Sequence, residues 1–416
     1  MSDRLSPGPQ WIDNRHHHAW LASETDRLLD FYRFTASDDE RGGFWWLGDD
    51  RRPLRHHGKE LWINARMVHA FAIGSLLGRP GCARLVEHGL RYLEHGPLRD
   101  AQHGGWMWAV DERDTLTDPT KQNYGHAFVL LAACTAAQAG YDARSVLQDV
   151  IGIIDEHFWQ AADGLCVDTY DRTWSNCQAY RGQNSNMHMT EAFMAAAEVT
   201  GERRFLERAV RIAERLIGRL TAANDWRLAE HYDQYWNIDR DYNKDQPNTL
   251  FRPYGSTVGH WFEWAKLLLQ LRSMGGDRTG WMADAARTLF DRGVAEAWDT
   301  ENTGFVYSVD WDGSALNRDR YHWVIAEAIG AAVYLYRLSG SAHYARWYRA
   351  FWDHVDAHVI DHRHGSWFHQ LDPANAPLSD PWEGKPDLYH ALQATLYARA
   401  PADMGLGLAL ARGRVR

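Results

Sequence analysis

Apolar positions along the chain fall into a repeating order. A stretch with apolar residues three and four apart is followed by a short aromatic run, usually led by glycine, and then by a stretch that is apolar almost throughout. The first stretch predicts a helix from about Trp20 to Phe34, with Leu21, Leu28, Leu29 and Tyr32 on one face. The run Gly42-Gly43-Phe44-Trp45-Trp46-Leu47 predicts a short strand, and residues 61–77 a second helix. The same order predicts helix pairs at 83–94 and 124–139, 143–158 and 184–200, 203–220 and 257–274, 281–297 and 323–338, and 342–359 and 388–398.

The aromatic runs begin near residues 43, 104, 164, 226, 304 and 365, a period close to 60 with one step of 78. Six helix pairs can close into a ring, with the more apolar helix of each pair inside. The expected fold class is therefore all-α, an (α/α)6 barrel with short aromatic strands in its connections. The long step marks an insertion over His231–Phe251, expected as a lid or a wall of a cavity. No linker composition interrupts the pattern, so residues 1–416 are read as one domain, with an arm over 1–14 and a tail over 401–416.

Composition removes several function classes. A net charge of -10 without a basic tract argues against nucleic acid. No run of apolar residues is long enough to span a membrane, and Met1-Ser2-Asp3-Arg4 opens no signal peptide, so a cytoplasmic protein is expected. Cys82, Cys134, Cys166 and Cys177 form no CxxC pair and are expected as free thiols. The unusual content is 21 Trp and 22 His, flat faces beside groups that titrate near neutrality. Most of the tryptophans are expected in the core.

In such a ring the inner helices are entered from one end, so their first turns crowd together. Those turns carry Asn64 and Arg66, Tyr124 and His126, Asn184, Asn186 and His188, His260 and Glu263, Trp323 and Glu327, then Trp382, Tyr389 and His390. Core positions would favour Leu, Val or Ala. Asn184 and His188 share a helix face. Glu263, three residues after His260, is expected to hold its imidazole through one nitrogen, as a general acid/base requires. Arg66 offers a fixed positive charge for an oxyanion. Tyr124, Asn184 and Glu327 suit hydroxyl groups, and Trp323 and Trp382 suit the C–H face of a sugar ring. His188, His260 and His390 come from separate elements and no HxxEH motif occurs, so neither a metal nor another cofactor is expected.

Five segments carry a resemblance: 61–67 (LWINARM), 180–188 (YRGQNSNMH), 259–264 (GHWFEW), 304–313 (GFVYSVDWDG) and 382–385 (WEGK) leading to His390. Together they resemble the N-acylglucosamine 2-epimerase superfamily, in its aldose–ketose isomerase branch, from about Trp20 to Tyr397. The resemblance implies an (α/α)6 barrel and catalysis without metal or nucleotide. It also implies catalytic histidines at His260 and His390, and substrate contacts at Arg66, Tyr124, Asn184, His188, Trp323, Glu327 and Trp382. The sulfosugar enzymes of that branch carry glutamines where this chain has His369 and Pro386, which favours a neutral sugar.

The expected activity is interconversion of D-mannose and D-fructose, with D-lyxose and D-xylulose as a second pair, through a cis-enediol. In this expectation His188 and His260 assist ring opening, with Glu263 behind His260, while His390 moves the proton between C2 and C1 and Arg66 steadies the oxyanion. The alternatives are a sugar 2-epimerase or sulfoquinovose isomerase of the same superfamily, or a sugar-binding helical protein without catalysis. The expected partners are a monosaccharide and further copies of the chain, as a homodimer or higher homo-oligomer.

Overall fold

The structure, a computed structural model, describes residues 10–416. Most of the expected arm, residues 1–9, lies outside that range. Asn14 caps the first helix by accepting from the His16 N–H at 2.8 Å, so that helix begins five residues earlier than the apolar pattern implied. Outer and inner helices alternate in chain order, α1 (Arg15–Tyr32) then α2 (Leu61–Leu76), α3 (Cys82–His95) then α4 (Asn123–Gln138), and α5 (Arg144–Ile153) then α6 (Gln183–Thr200), and each inner helix packs on the outer helix that follows it, with the last packing back on α1. The order continues with α7 (Arg203–Ala213) and α8 (Val258–Ser273), α9 (Trp281–Ala297) and α10 (His322–Ser339), then α11 (Ala342–His354) and α12 (Tyr389–Tyr397). The even-numbered helices form the inner ring. In α2 every residue from Leu61 to Gly74 is buried, because the helix is covered on all sides.

Successive inner helices pack on each other, and α12 packs on both α10 and α2, which closes the (α/α)6 barrel. Trp62, Trp106, Trp261, Trp264 and Trp352 are fully buried. Among the described residues no helix is long and apolar enough to cross a membrane. Cys82, Cys134 and Cys166 are buried free thiols and Cys177 is partly exposed. The segment after 401 departs from the expected loose tail: its helix α13 (Leu406–Ala411) packs on α2, α4 and α12 through buried Leu406, Ala409 and Leu410.

The aromatic runs are mostly not themselves the strands. Gly42 and Gly43 (φ 89 and 78) and Gly104 and Gly105 (φ 74 and 70) form left-handed turns that non-glycine residues resist. In four runs one residue bridges back, Phe44 to Ser37, Trp106 to Arg99, Phe305 to Trp298 and Trp367 to Ile360, while in the third Leu165–Cys166 pairs with Trp159–Gln160. The ladders form a few residues later and join one unit to the next. Lys59–Glu60, just before α2, pairs with Ala109–Val110 of the second unit. Lys121–Gln122 pairs with Thr169–Tyr170, Arg181–Gly182 with His231–Tyr232, Ser256–Thr257 with Ser308–Val309, and Arg320–Tyr321 with Gln370–Leu371. The ring closes where Lys385, before α12, bridges to Leu47 of the first unit.

The residues preceding the inner helices supply no side-chain cap. In five of the six, the first N–H instead donates to a carbonyl of the next unit: Leu61 to Trp108 at 2.9 Å, Asn123 to Asp168 at 2.7 Å, Gln183 to Glu230 at 3.1 Å, Val258 to Tyr307 at 3.1 Å and His322 to His369 at 3.2 Å. In α12 the Tyr389 N–H donates to Asp387 Oδ1 of its own loop at 2.8 Å. Buried cations brace the same rim, Lys59 on Asp38 (2.8 Å), Lys121 on Asp100 (3.0 Å), Arg320 on Asp299 (2.6 Å) and Lys385 on Asp361 (2.6 Å).

Asn64, His126 and Asn186 belong to this frame rather than to the mouth of the barrel, where they were expected. Asn64 Oδ1 accepts from Phe44 N–H at 2.7 Å, His126 Nε2 from Trp106 N–H at 3.1 Å and Asn186 Oδ1 from Cys166 N–H at 2.8 Å. His126 Nδ1 donates to the Gln122 carbonyl at 2.8 Å, so the neutral tautomer is the one that fits. Burial lowers its pKa to about 3. The unfolded chain takes up a proton on this histidine below pH 6.5 that the folded chain refuses. Stability is therefore fully present above 6.5 and falls by about 1.4 kcal/mol per pH unit below it for this group. Urea unfolding measured from pH 7 to pH 5 should show a steeper loss in the wild type than in His126→Gln.

Candidate active site

The inner-helix N-termini face a cavity lined by polar and aromatic side chains. Because the rim fixes where each helix starts, its second and sixth residues, one turn apart, present the same face. That register brings Trp62 and Arg66, Tyr124, Asn184 and His188, Glu263, Trp323 and His390 to the wall. His260 and His322 join them, and Trp382 arrives from the loop before α12. Position two of α8 is Gly259, where a Cβ would stand 2.2 Å from Trp323 Cζ3, so only glycine leaves room for that indole. Leu250 and Phe251 at the end of the insertion, with Pro253 just after it, line the cavity, and the Phe251 ring lies 5.7 Å from both Trp62 and Trp382. The insertion is a wall of the cavity.

His260 and His390 flank Trp323, with ring centroids 5.1 and 5.8 Å from it. His390 Nδ1 donates to Glu327 Oε1 at 2.8 Å, which leaves Nε2 as a free base. Burial first, then the Arg66 charge, holds His390 well below its ordinary value, so it is neutral at pH 7. The cation facing Glu327 is Lys266, whose Nζ lies 2.5 Å from Oε2 and also donates to Tyr397 OH at 2.9 Å. Glu327 thus stands behind His390 and is absent from the cavity wall, which corrects its expected role as a reader of sugar hydroxyls.

The expected pairing of His260 with Glu263 is also corrected. His260 Nδ1 lies 2.9 Å from both oxygens of Glu230, a residue of the fourth aromatic run. Trp264 Nε1 donates to Gln183 Oε1 at 2.8 Å, which turns the amide nitrogen of Gln183 toward Glu230 at 2.8 Å. Glu263 points along the barrel axis instead, with Oε1 3.7 Å from His188 Nδ1 and no hydrogen-bond partner in the protein on either oxygen. Burial, with Glu327 nearby, raises its carboxyl well above the usual carboxylate range. His188 is lowered by burial and by Arg66 and is neutral. Arg66 pairs with Asp387 at 3.1 Å and donates to Tyr124 OH at 3.0 Å, a fixed charge at the cavity wall. Asn184 Oδ1 and His369 Nδ1 are buried without protein partners.

His188, Glu191 and Glu263 bring three potential metal-ligand atoms within 4.8 Å of one another. Lys266 and Arg66 already direct positive charge at Glu263, and Glu191 accepts from Tyr389 OH, so a proton suits this cluster better than a divalent cation.

Glu230 and Tyr307 were missed in the sequence, and His369 entered only as a position bearing on sugar specificity, yet they occupy one repeated place. The carbonyls that accept the first N–H of the inner helices belong to Trp108, Asp168, Glu230, Tyr307 and His369 around the ring. Aligning the runs on that place would have shown two carboxylates and an imidazole among aromatic residues.

The N-acylglucosamine 2-epimerase (GlcNAc 2-epimerase) family model matches residues 42–394. The chain belongs to that family. It is 44% identical to a D-mannose isomerase of Thermobifida fusca over 96% of this chain and 98% of the relative. It is 43% identical to a D-mannose isomerase of Pseudomonas cannabina pv. alisalensis over 96% and 97%. A crystal structure of a D-mannose isomerase superposes with a TM-score of 0.86 at 34% identity, covering 92% of this chain and 97% of that one.

Replacing Lys266 by Met strands Glu327 in the barrel axis without its cation. One-sided loss of a buried pair costs about 3–5 kcal/mol. Urea unfolding at pH 7 should show a loss of that order for Lys266→Met and a smaller one for Lys266→Met with Glu327→Gln.

Proposed function

We propose that this chain interconverts D-mannose and D-fructose by proton transfer through a cis-enediol, and D-lyxose and D-xylulose by the same route. The observation that carries the reading is the pair of imidazoles either side of Trp323, each held at Nδ1 by its own carboxylate. The names of the relatives supply the sugar. In this reading Glu263, whose carboxyl burial makes readier to hold a proton, and His188 beside it move a proton to the ring oxygen as the pyranose opens, with His260 taking the proton from the anomeric hydroxyl. The open chain stacks its C–H face on Trp323 and Trp382.

His390 Nε2 then removes the C2 proton. The released electron pair forms the C1=C2 bond, and the C1 carbonyl oxygen takes a proton to give the enediol. Loss of the O2 proton re-forms a carbonyl at C2, and His390 returns its proton to C1. Arg66, with six helix N-termini around it, offsets the negative charge that builds on oxygen. His260, a second imidazole lining the same cavity as His390, also favours a second reading, 2-epimerisation, in which a proton reaches C2 from the other face.

Mannose incubated in deuterated water with a chelator present separates these readings. Fructose is expected, labelled at C1 only to the extent that the proton on His390 exchanges with solvent before it is returned; glucose without fructose would select the epimerase, and loss of activity to the chelator would bring in a metal. His390→Asn should lower kcat by about 10²–10⁴-fold, the scale of a lost general base. Because His390 is held below 6.5, kcat/KM should stay level from pH 8 down to 6.5 and fall only at lower pH, as the base becomes protonated. An acid limb centred above 6.5 would contradict the assignment.

A further inference from the structure

The seam that closes the barrel differs from the other five. Those are two-residue ladders, whereas this one is the single bridge of Lys385 to Leu47, with the Lys385 N–H donating to the Leu47 carbonyl at 2.7 Å. Directly beside it, His56 and His57 from the first unit converge on one carboxylate of the last. His56 Nε2 lies 2.8 Å and His57 Nε2 3.0 Å from Glu383 Oε2. The three ligand atoms lie within 4.8 Å of one another.

The ligands are held in place before any ion arrives. The His57 ring is stacked on Trp46, centroids 4.3 Å apart at 15°. Trp46 Nε1 donates to the Glu383 carbonyl at 2.5 Å, so the same indole fixes both the imidazole and the backbone that carries the carboxylate. The His16-His17-His18 run, which looks the better metal site in sequence, is already committed: His17 Nε2 bonds Tyr348 OH at 2.8 Å and His18 Nε2 the Ile12 carbonyl at 2.6 Å.

We infer that His56, His57 and Glu383 form a site for a borderline divalent cation of the zinc class that staples the closing seam. Two imidazole nitrogens and one carboxylate oxygen on a partly exposed rim leave open positions for water, the donor set that suits Zn²⁺ or Ni²⁺ over Mg²⁺ or Ca²⁺. The spacing of about 3 Å between each nitrogen and the oxygen needs only a small expansion to place an ion at about 2.0–2.2 Å from each ligand. The site uses no residue assigned above to sugar chemistry and does not rest on that reading. Its effect would be to tie the 55–57 turn to the loop that carries Trp382.

The test is calorimetric titration of chelator-treated full-length protein with ZnCl2, alongside thermal unfolding with and without zinc. The wild type should bind about one equivalent and gain melting temperature, while MgCl2 gives neither effect. His56→Gln and Glu383→Gln, on partly exposed side chains, should each weaken zinc binding at least about tenfold and abolish the thermal gain. Absence of saturable binding in the wild type, or equal binding in wild type and both variants, would overturn the site. Hydrogen exchange should slow in residues 50–58 and 380–386 on zinc addition; protection confined elsewhere would overturn the staple.

Discussion

The arrangement depends on one kind of hydrogen bond, the first amide of an inner helix given to a carbonyl of the neighbouring unit. An uncapped helix end buried at the head of a cavity would strand polar N–H groups at a cost of about 1–3 kcal/mol each. Here the neighbour supplies the acceptor, from Leu61 on Trp108 round to His322 on His369. The same bond fixes the rotation of the helix about its axis, because it defines which residue is first. Once that is set, second and sixth side chains such as Trp62 and Arg66 or Asn184 and His188 face inward, and in α2, α4 and α6 the fourth turns back to hold the loop of its own unit.

The electrostatics follow from this placement. Burial, with the Arg66 charge, holds His188 and His390 neutral and available as bases. Carboxylates are then needed behind the imidazoles to fix their tautomers, and each has its own partner. Glu230 has Gln183 and Glu327 has Lys266, while Glu263, without a hydrogen-bond partner in the protein, is the carboxyl that burial pushes up. The polar groups beneath the cavity form a graded set: an anion where an orienting charge is required, and a carboxyl readier to hold a proton where one is to be given away.

The helix order and the six-fold ring were legible because burial on every side leaves an apolar stretch that periodicity reports directly. Most of the wall was legible too: Arg66, Tyr124, Asn184, His188, His260, Trp323, Trp382 and His390 meet as expected. What failed was partner choice. Glu263 lies three residues from His260 in sequence, but the closer acceptor in space is Glu230, thirty residues earlier and in another unit. Local spacing cannot see a contact made across a seam. Asn64, His126 and Asn186 misled for the same reason. They are polar residues in the right turn of the right helices, but one side of the helix serves the cavity and the other serves the backbone of a loop.

The single closing bridge has a consequence for how the chain comes together. Five seams join units adjacent in sequence and can form while the chain folds pair by pair. The sixth brings Leu47 to Lys385, with α1 packing on α12, and must wait for nearly all the intervening chain. A circular permutant that moves the chain break to another seam would keep every native contact and transfer that late, entropically costly closure to a different pair of helices.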